Sequence, residues 1–337
     1  MNIAIHQTGG AMDVSQHIIQ TSEDAIDLLN SALKHEWAVS FEYLFHAYSM
    51  PKGQLIYTDP ILENPTDVRS RTIQIGIDEM YHTLQIGIII RQMGGTPTFE
   101  TDGVTRFPRV IDNLALDKET EDKVTALYQT AKFEEGRFPK IRNMVMNISY
   151  DEVRHGKQFT AMMEAMRREG QEEMLLFRSN PDAAAREEVQ LLHTIMRAEN
   201  ELMHRYLKYV VYFSEHQDLM QRLFKNAVDH MRNWDKNAGI LIKWDDVIRI
   251  ENAVKDEKGI ERSEDPMPDT YPGEKRQEAL ETLIPAEEEL IKNYDTLLAL
   301  VPDGEIKEEI KLHLGLDKEH RFTQKGLLEN ARNIKGL

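Results

Sequence analysis

The chain has no cysteine among its 337 residues. That absence removes disulfides, thiolate nucleophiles and iron-sulfur clusters together, and it leaves Asp, Glu and His as the metal ligands. A long apolar run is also missing. The longest, around Ile86 to Ile90, is far too short to span a bilayer. The opening Met1-Asn2-Ile3-Ala4-Ile5-His6 has no basic region followed by an apolar stretch, so no signal peptide is expected and a cytoplasmic location is the default. No basic cluster offsets a net charge of -17, which argues against nucleic acid or an anionic membrane as partner. Period-two alternation is almost absent, so an all-α fold is expected.

What the chain does hold is acid and histidine in a repeated arrangement. Asp78-Glu79-Met80-Tyr81-His82 recurs as Asp151-Glu152-Val153-Arg154-His155. Residues three apart share a helix face, so each Glu-x-x-His aims a carboxylate and an imidazole at one point. A di-metal carboxylate site inside a helix bundle takes two such helices and one Glu from each of two others. Depth along the helices picks out those two. Glu79 lies about 13 residues, roughly 20 Å, into a helix expected to start near Thr66. Glu36 lies about as far before the expected end of the preceding helix at Met50. With Pro139 in the first turn of the fourth helix, the partner of Glu152 falls near Val124, where Glu121 and Asp122 are the acids. Glu134 and Glu135 sit at the wrong end and are expected in solvent.

Glu36, Glu79, Glu121 and Glu152 carry four negative charges, enough for two divalent ions, with His82 and His155 as neutral imidazoles. Carboxylate oxygen with some imidazole suits iron or manganese. A single Glu-x-x-His is more often a solvated helix face. Two copies with matching acids at matching depth weigh against that reading.

Helices are expected over Glu23 to Met50 with Ser22 as N-cap, Thr66 to Met93 ending at Gly94-Gly95-Thr96-Pro97, Asp117 to Phe138, and Pro139 to Glu169. Their inward stripes carry Leu29, Leu33, Glu36, Ser40 and Tyr43, then Ile75, Glu79, His82 and Ile86, then Glu121, Val124 and Tyr128, then Val145, Ile148, Glu152, His155 and Phe159. An acid such as Glu36 in an inward row is expensive without a partner, which marks it as a ligand. Residues 1-22 read as an arm, 51-65 as a loop and 96-117 as a long crossover. Met162, Met163 and Met166 are expected to fill core gaps. Tyr43 and Tyr128 are expected to cap a buried carboxylate, with a redox or hydrogen-bonding role near the metals as the alternative.

Leu29-Asn30-Ser31-Ala32-Leu33-Lys34-His35-Glu36, then Glu42-Tyr43-Leu44-Phe45-His46-Ala47, then Asp78-Glu79-Met80-Tyr81-His82, resembles the ferritin-like superfamily, bacterioferritins and rubrerythrins included. Tyr43-Leu44 with Tyr48-Ser49, Glu79-Met80-Tyr81-His82 and Gly94-Gly95-Thr96-Pro97 is also similar, over fewer positions, to the ferritin-like domain of iminophenylpyruvate dimer synthases. The likeness lies in motifs and not along the whole chain. It implies that Glu36, Glu79, His82, Glu121, Glu152 and His155 bind two irons that react with oxygen or peroxide.

Residues after the Asn180-Pro181 linker repeat the first half. Leu191 to Glu199 overlays Leu28 to Glu36, and Tyr206-Leu207 overlays Tyr43-Leu44, both at an offset of 163. Val228-Asp229-His230-Met231 overlays Ile77-Asp78-Glu79-Met80, Ala286-Glu287 to Tyr294 overlays Thr120-Glu121 to Tyr128, and Asp317-Lys318-Glu319-His320 overlays Glu152 to His155. Two tandem ferritin-like four-helix bundles are therefore expected, at 23-172 and 183-337. The second site has drifted to Glu199, His230, Glu287, Asp317 and His320, and two divalent ions there would leave about one positive charge in excess. His313 is expected as a core histidine. The charged loop from Lys243 to Arg276 either covers a pocket or lies on the surface.

The function expected first is a di-iron oxidase or oxygenase that activates O2 to attack a small organic substrate, with an electron donor where one is needed. An iron-oxidising protein and a manganese-catalase-like enzyme acting on peroxide share the same ligand types. A non-enzymatic scaffold would leave six buried ionisable groups without purpose. A homo-oligomer is left open, although two unequal bundles make a symmetric cage harder to build.

Overall fold

A computed structural model describes residues 18-266 and 276-333, so most of the expected arm at 1-22 lies outside the described residues. The chain is mainly helical. In order it forms β1 (Ile18-Ile19), α1 (Ser22-Tyr48), β2 (Ile56-Thr58), β3 (Pro65-Asp67), α2 (Val68-Gln92), β4 (Val104-Arg106), α3 (Val110-Thr130), β5 (Lys132-Phe133) and α4 (Pro139-Arg168). It continues as α5 (Pro181-Ala184), α6 (Glu187-Tyr212), α7 (Gln217-Lys243), β6 (Val254-Lys255), β7 (Glu261-Ser263), α8 (Arg276-Leu300) and α9 (Glu305-Asn333). Among the described residues no helix is long and apolar enough to cross a membrane.

Local chemistry sets the helix ends. The N-cap of α1 is Thr21 and not Ser22: its hydroxyl accepts from the Asp24 amide at 3.1 Å, and Asp24 Oδ2 accepts from the Thr21 amide at 2.9 Å. A cap at Ser22 would face Ala25, which has nothing to return. Asp67 caps α2 by accepting from the Ser70 amide at 3.0 Å, and Gly94 takes the left-handed conformation just past its end. Pro139 opens α4 as expected.

The third helix differs most from expectation, starting seven residues earlier and ending eight residues earlier than Asp117 to Phe138. Asn113 ties its first turn, donating to the carbonyls of Phe107 and Arg109 and accepting from the Phe107 amide. Val110, Ile111 and Leu114 then bury one stripe beside Phe159, Met162 and Met163 of α4. It ends at Thr130 because β5 leaves to pair with β1 in parallel.

Helices α1 and α2 pack against each other, as do α3 and α4, and α1 touches α3 while α2 touches α4. The α1/α2 pair is antiparallel: a Cβ on Gly76 would meet Ser40 and Leu44, and one on Gly95 would meet Ile26. The second half repeats all four pairings with α6, α7, α8 and α9. From Glu36 to Tyr48 every residue of α1 is buried, so this helix is covered on all sides. Its outer face meets the second half, with the Phe41 ring 3.8 Å from His204 and Tyr48 5.1 Å from Trp234. Arg69 of α2 adds a 2.6 Å ion pair to Asp235 of α7.

The expected loop from Lys243 to Arg276 carries the hairpin β6/β7, with 267-275 outside the described residues. Strand β7 pairs antiparallel with β4 in the crossover between α2 and α3. Arg106 on β4 donates to Glu261 of β7, to Ser49 Oγ at 2.8 Å and to the Ile248 carbonyl at 2.9 Å. The loop is thus a clasp between the halves.

Candidate metal centre

All six predicted ligands converge. Glu36 comes from α1, Glu79 and His82 from α2, Glu121 from α3, and Glu152 and His155 from α4, each at most 3% exposed. They form two groups whose ligand atoms lie within 4.8 Å of one another: Glu36, Glu79, His82 and Glu152, and then Glu79, Glu121, Glu152 and His155. Glu79 and Glu152 belong to both. Asp122, the competing acid on α3, is 62% exposed at its side chain and pairs with Lys118. Glu134 and Glu135 lie in solvent as expected.

The atoms face a common point more than they face each other. His155 Nδ1 lies 2.8 Å from Glu79 Oε1, yet neither has a hydrogen-bond partner among the described residues. Glu152 Oε1, 3.1 Å from His82 Nδ1, is likewise unpartnered, as are Glu36 Oε2 and Glu121 Oε2. Only His82 Nδ1 and Glu79 Oε2, 2.9 Å apart, are aligned as a hydrogen bond. Buried oxygen and nitrogen without partners cost free energy that a cation would recover. The donor set fits a metal pair: six ligands, two of them shared.

Electrostatics point the same way. Burial pushes the Glu152 carboxyl well above the usual range, and Glu79, Glu121 and Glu36 push it further. Glu79 is raised by burial and then by Glu121. Burial lowers His82 and His155, but the surrounding carboxylates, Glu79 foremost, together outweigh it and both end well above the ordinary imidazole value. Four clustered carboxylates demand positive charge, and without metal it has to be protons.

Supporting groups surround the cluster. Tyr43 donates to Glu121 Oε1 at 2.8 Å and Tyr128 donates to Glu36 Oε1, so both tyrosines cap carboxylates. Asp151 lies 3.6 Å from the outer nitrogen of His82, and Asp78 lies 3.5 Å from that of His155. Each aspartate thus serves the histidine of the opposite helix, an arrangement that orients a metal-binding imidazole. This role was missed from sequence, although an Asp before each Glu was in plain view. A narrow cleft bounded by His35, Val39, Thr120 and Val124 reaches Glu36, Glu79, Glu121 and Glu152. His35 was also missed. Its Nε2 has no partner among the described residues, and its Nδ1 lies 3.7 Å from Asp102.

In the second half His230, Glu287, Asp317 and His320 form another such group. Glu199 joins through a 2.5 Å contact with His230 Nδ1. His313 stays outside it, with its Nδ1 3.1 Å from Asn237 Oδ1. The chain has no match among protein-family models, curated proteins or solved structures. The reading of both clusters therefore rests on their own geometry.

Proposed function

We propose that this chain is a non-haem di-iron oxidoreductase, built from two ferritin-like four-helix bundles at 23-172 and 183-337, which uses O2 to oxidise a small organic substrate. The observation that carries it is the sharing of Glu79 and Glu152 by two four-residue groups. Two carboxylates common to both positions would hold the ions as a pair, and Glu36 with His82, and Glu121 with His155, would complete each end. Bound iron would supply the redox electrons that reduce dioxygen.

The chain's own residues do the rest. Tyr43 and Tyr128 fix the outer carboxylates, Asp78 and Asp151 orient the imidazoles, and complete burial of the ligands keeps bulk water out. His35, in the cleft wall with a free Nε2, is placed to take or return a proton. The narrowness of that cleft favours a second reading, in which the reactant is peroxide or iron itself and the metal is manganese or iron.

Metal analysis of protein purified without chelators tests this, beside a Glu79→Ala, His82→Ala variant. About two irons lost in the variant, together with oxygen uptake on adding substrate, are the expected results. Manganese with peroxide breakdown would move the conclusion to the second reading. No metal in either protein would sink both.

A further inference from the structure

The second half keeps one of the two four-residue groups nearly whole. His230 stands where Glu79 does, Glu287 for Glu121, Asp317 for Glu152 and His320 for His155. The other group keeps Glu199 for Glu36 but has lost its histidine and the aspartate beside that histidine. Asn233 replaces His82 and donates to Asp317 Oδ1 at 3.3 Å, and Leu316 takes the place of Asp151.

Support for the surviving group is intact. His320 Nε2 meets Asp229 Oδ2 at 3.1 Å, the counterpart of His155 beside Asp78. Tyr206 donates to Glu287 Oε1 at 2.6 Å as Tyr43 does to Glu121. Tyr294 donates to Glu199 as Tyr128 does to Glu36.

Buried atoms without partners mark a place for a cation in this group. If His230 Nδ1 donates its proton to Glu199, 2.5 Å away, then Nε2 presents a lone pair to Glu287 Oε1 at 3.2 Å. Two acceptors do not face each other at that distance without something positive between them. A proton on Nε2 serves that pair alone. It leaves Glu287 Oε2, Asp317 Oδ2 and His320 Nδ1 without partners among the described residues, on side chains at most 1% exposed. One divalent ion answers all of them.

We propose that the second half binds a single first-row divalent transition ion through His230 Nε2, Glu287, Asp317 and His320 Nδ1. Glu287 and Asp317 neutralise its charge, and Glu199 becomes the outer carboxylate that fixes the His230 ring. Two imidazoles and two carboxylates favour a borderline ion over the harder ions suited to the first cluster.

Co2+ added to the metal-free full chain is the probe. A Glu79→Gln, His82→Gln variant disables the first centre, and it is expected to retain one equivalent where the unmodified chain takes about three, two from the first centre. Adding His320→Gln should abolish that binding. Asp229→Asn, which leaves every ligand in place, should weaken it about 10- to 100-fold. The proposal is overturned if the double variant, with native helix content by circular dichroism, binds no Co2+. It is equally overturned if bound Co2+ ignores both His320→Gln and Asp229→Asn. One equivalent in the unmodified chain, lost with His320→Gln and kept in the double variant, would support this site while sinking the di-metal reading of the first half.

Discussion

Glu42, about one and two-thirds turns beyond Glu36 on α1, is buried but belongs to neither candidate metal group of the first half. Burial and the nearby Asp117 carboxylate push its pKa from 4.5 up to about 7, against the pull of His46. A folded value above the unfolded one means that its contribution is fully present below pH 4.5 and is lost as pH rises through about 7. Glu42→Gln mimics the protonated form and still accepts from the Thr105 amide, so it should match the parent at pH 4. At pH 8.5 it should be more stable by on the order of 3 kcal/mol, read from urea unfolding at both values. Equal stability at both would show that Glu42 ionises without cost. The candidate ligands Glu79, His82, Glu152 and His155 were legible at this scale because the helical repeat places Glu and His three apart on one face. Asp78 and Asp151 were not, since each serves a histidine on the other helix and that pairing appears only once α2 and α4 are side by side.

At the scale of elements, α2 meets the second half at Gly87. A Cβ there would lie 3.0 Å from both methyls of Val211 on α6, closer than most such contacts. Gly87→Leu should therefore destabilise the chain by about 1 to 3 kcal/mol through overpacking. Val211→Ala in the same chain should recover at least half of that, measured by thermal unfolding of the two single variants and the double. No recovery would place the strain elsewhere. Helix existence and inward faces were readable from apolar spacing, and all the expected inward residues of α1 to α4 are buried. The limits of α3 were not. Its start depends on Asn113 folding back on Phe107 and Arg109, and its end on β5 joining β1 from far away in sequence.

Among the described residues the two halves are packed together, α1 and α6 each burying a flank in the other half. One apolar cluster runs from Leu33 and Trp37 through Tyr206 and Trp234 to Leu290, and the β4/β7 clasp with Arg106 reinforces it. That tie was illegible in sequence, since three-residue strands in remote loops carry no periodicity. Its consequence is thermodynamic. A metal that binds the folded first half stabilises whatever unfolds with it, by about 2.7 kcal/mol at a free concentration of 100 times its dissociation constant. If the halves unfold together, calorimetry should give one transition that Mn2+ moves upward as a whole. The upward shift should shrink in the Glu79→Gln, His82→Gln chain, leaving only what the second cluster supplies. If they unfold separately, two transitions will appear and metal at the first centre will move one of them. In that case the shared cluster would be an interface between independent units, and the second metal position could be studied free of the first.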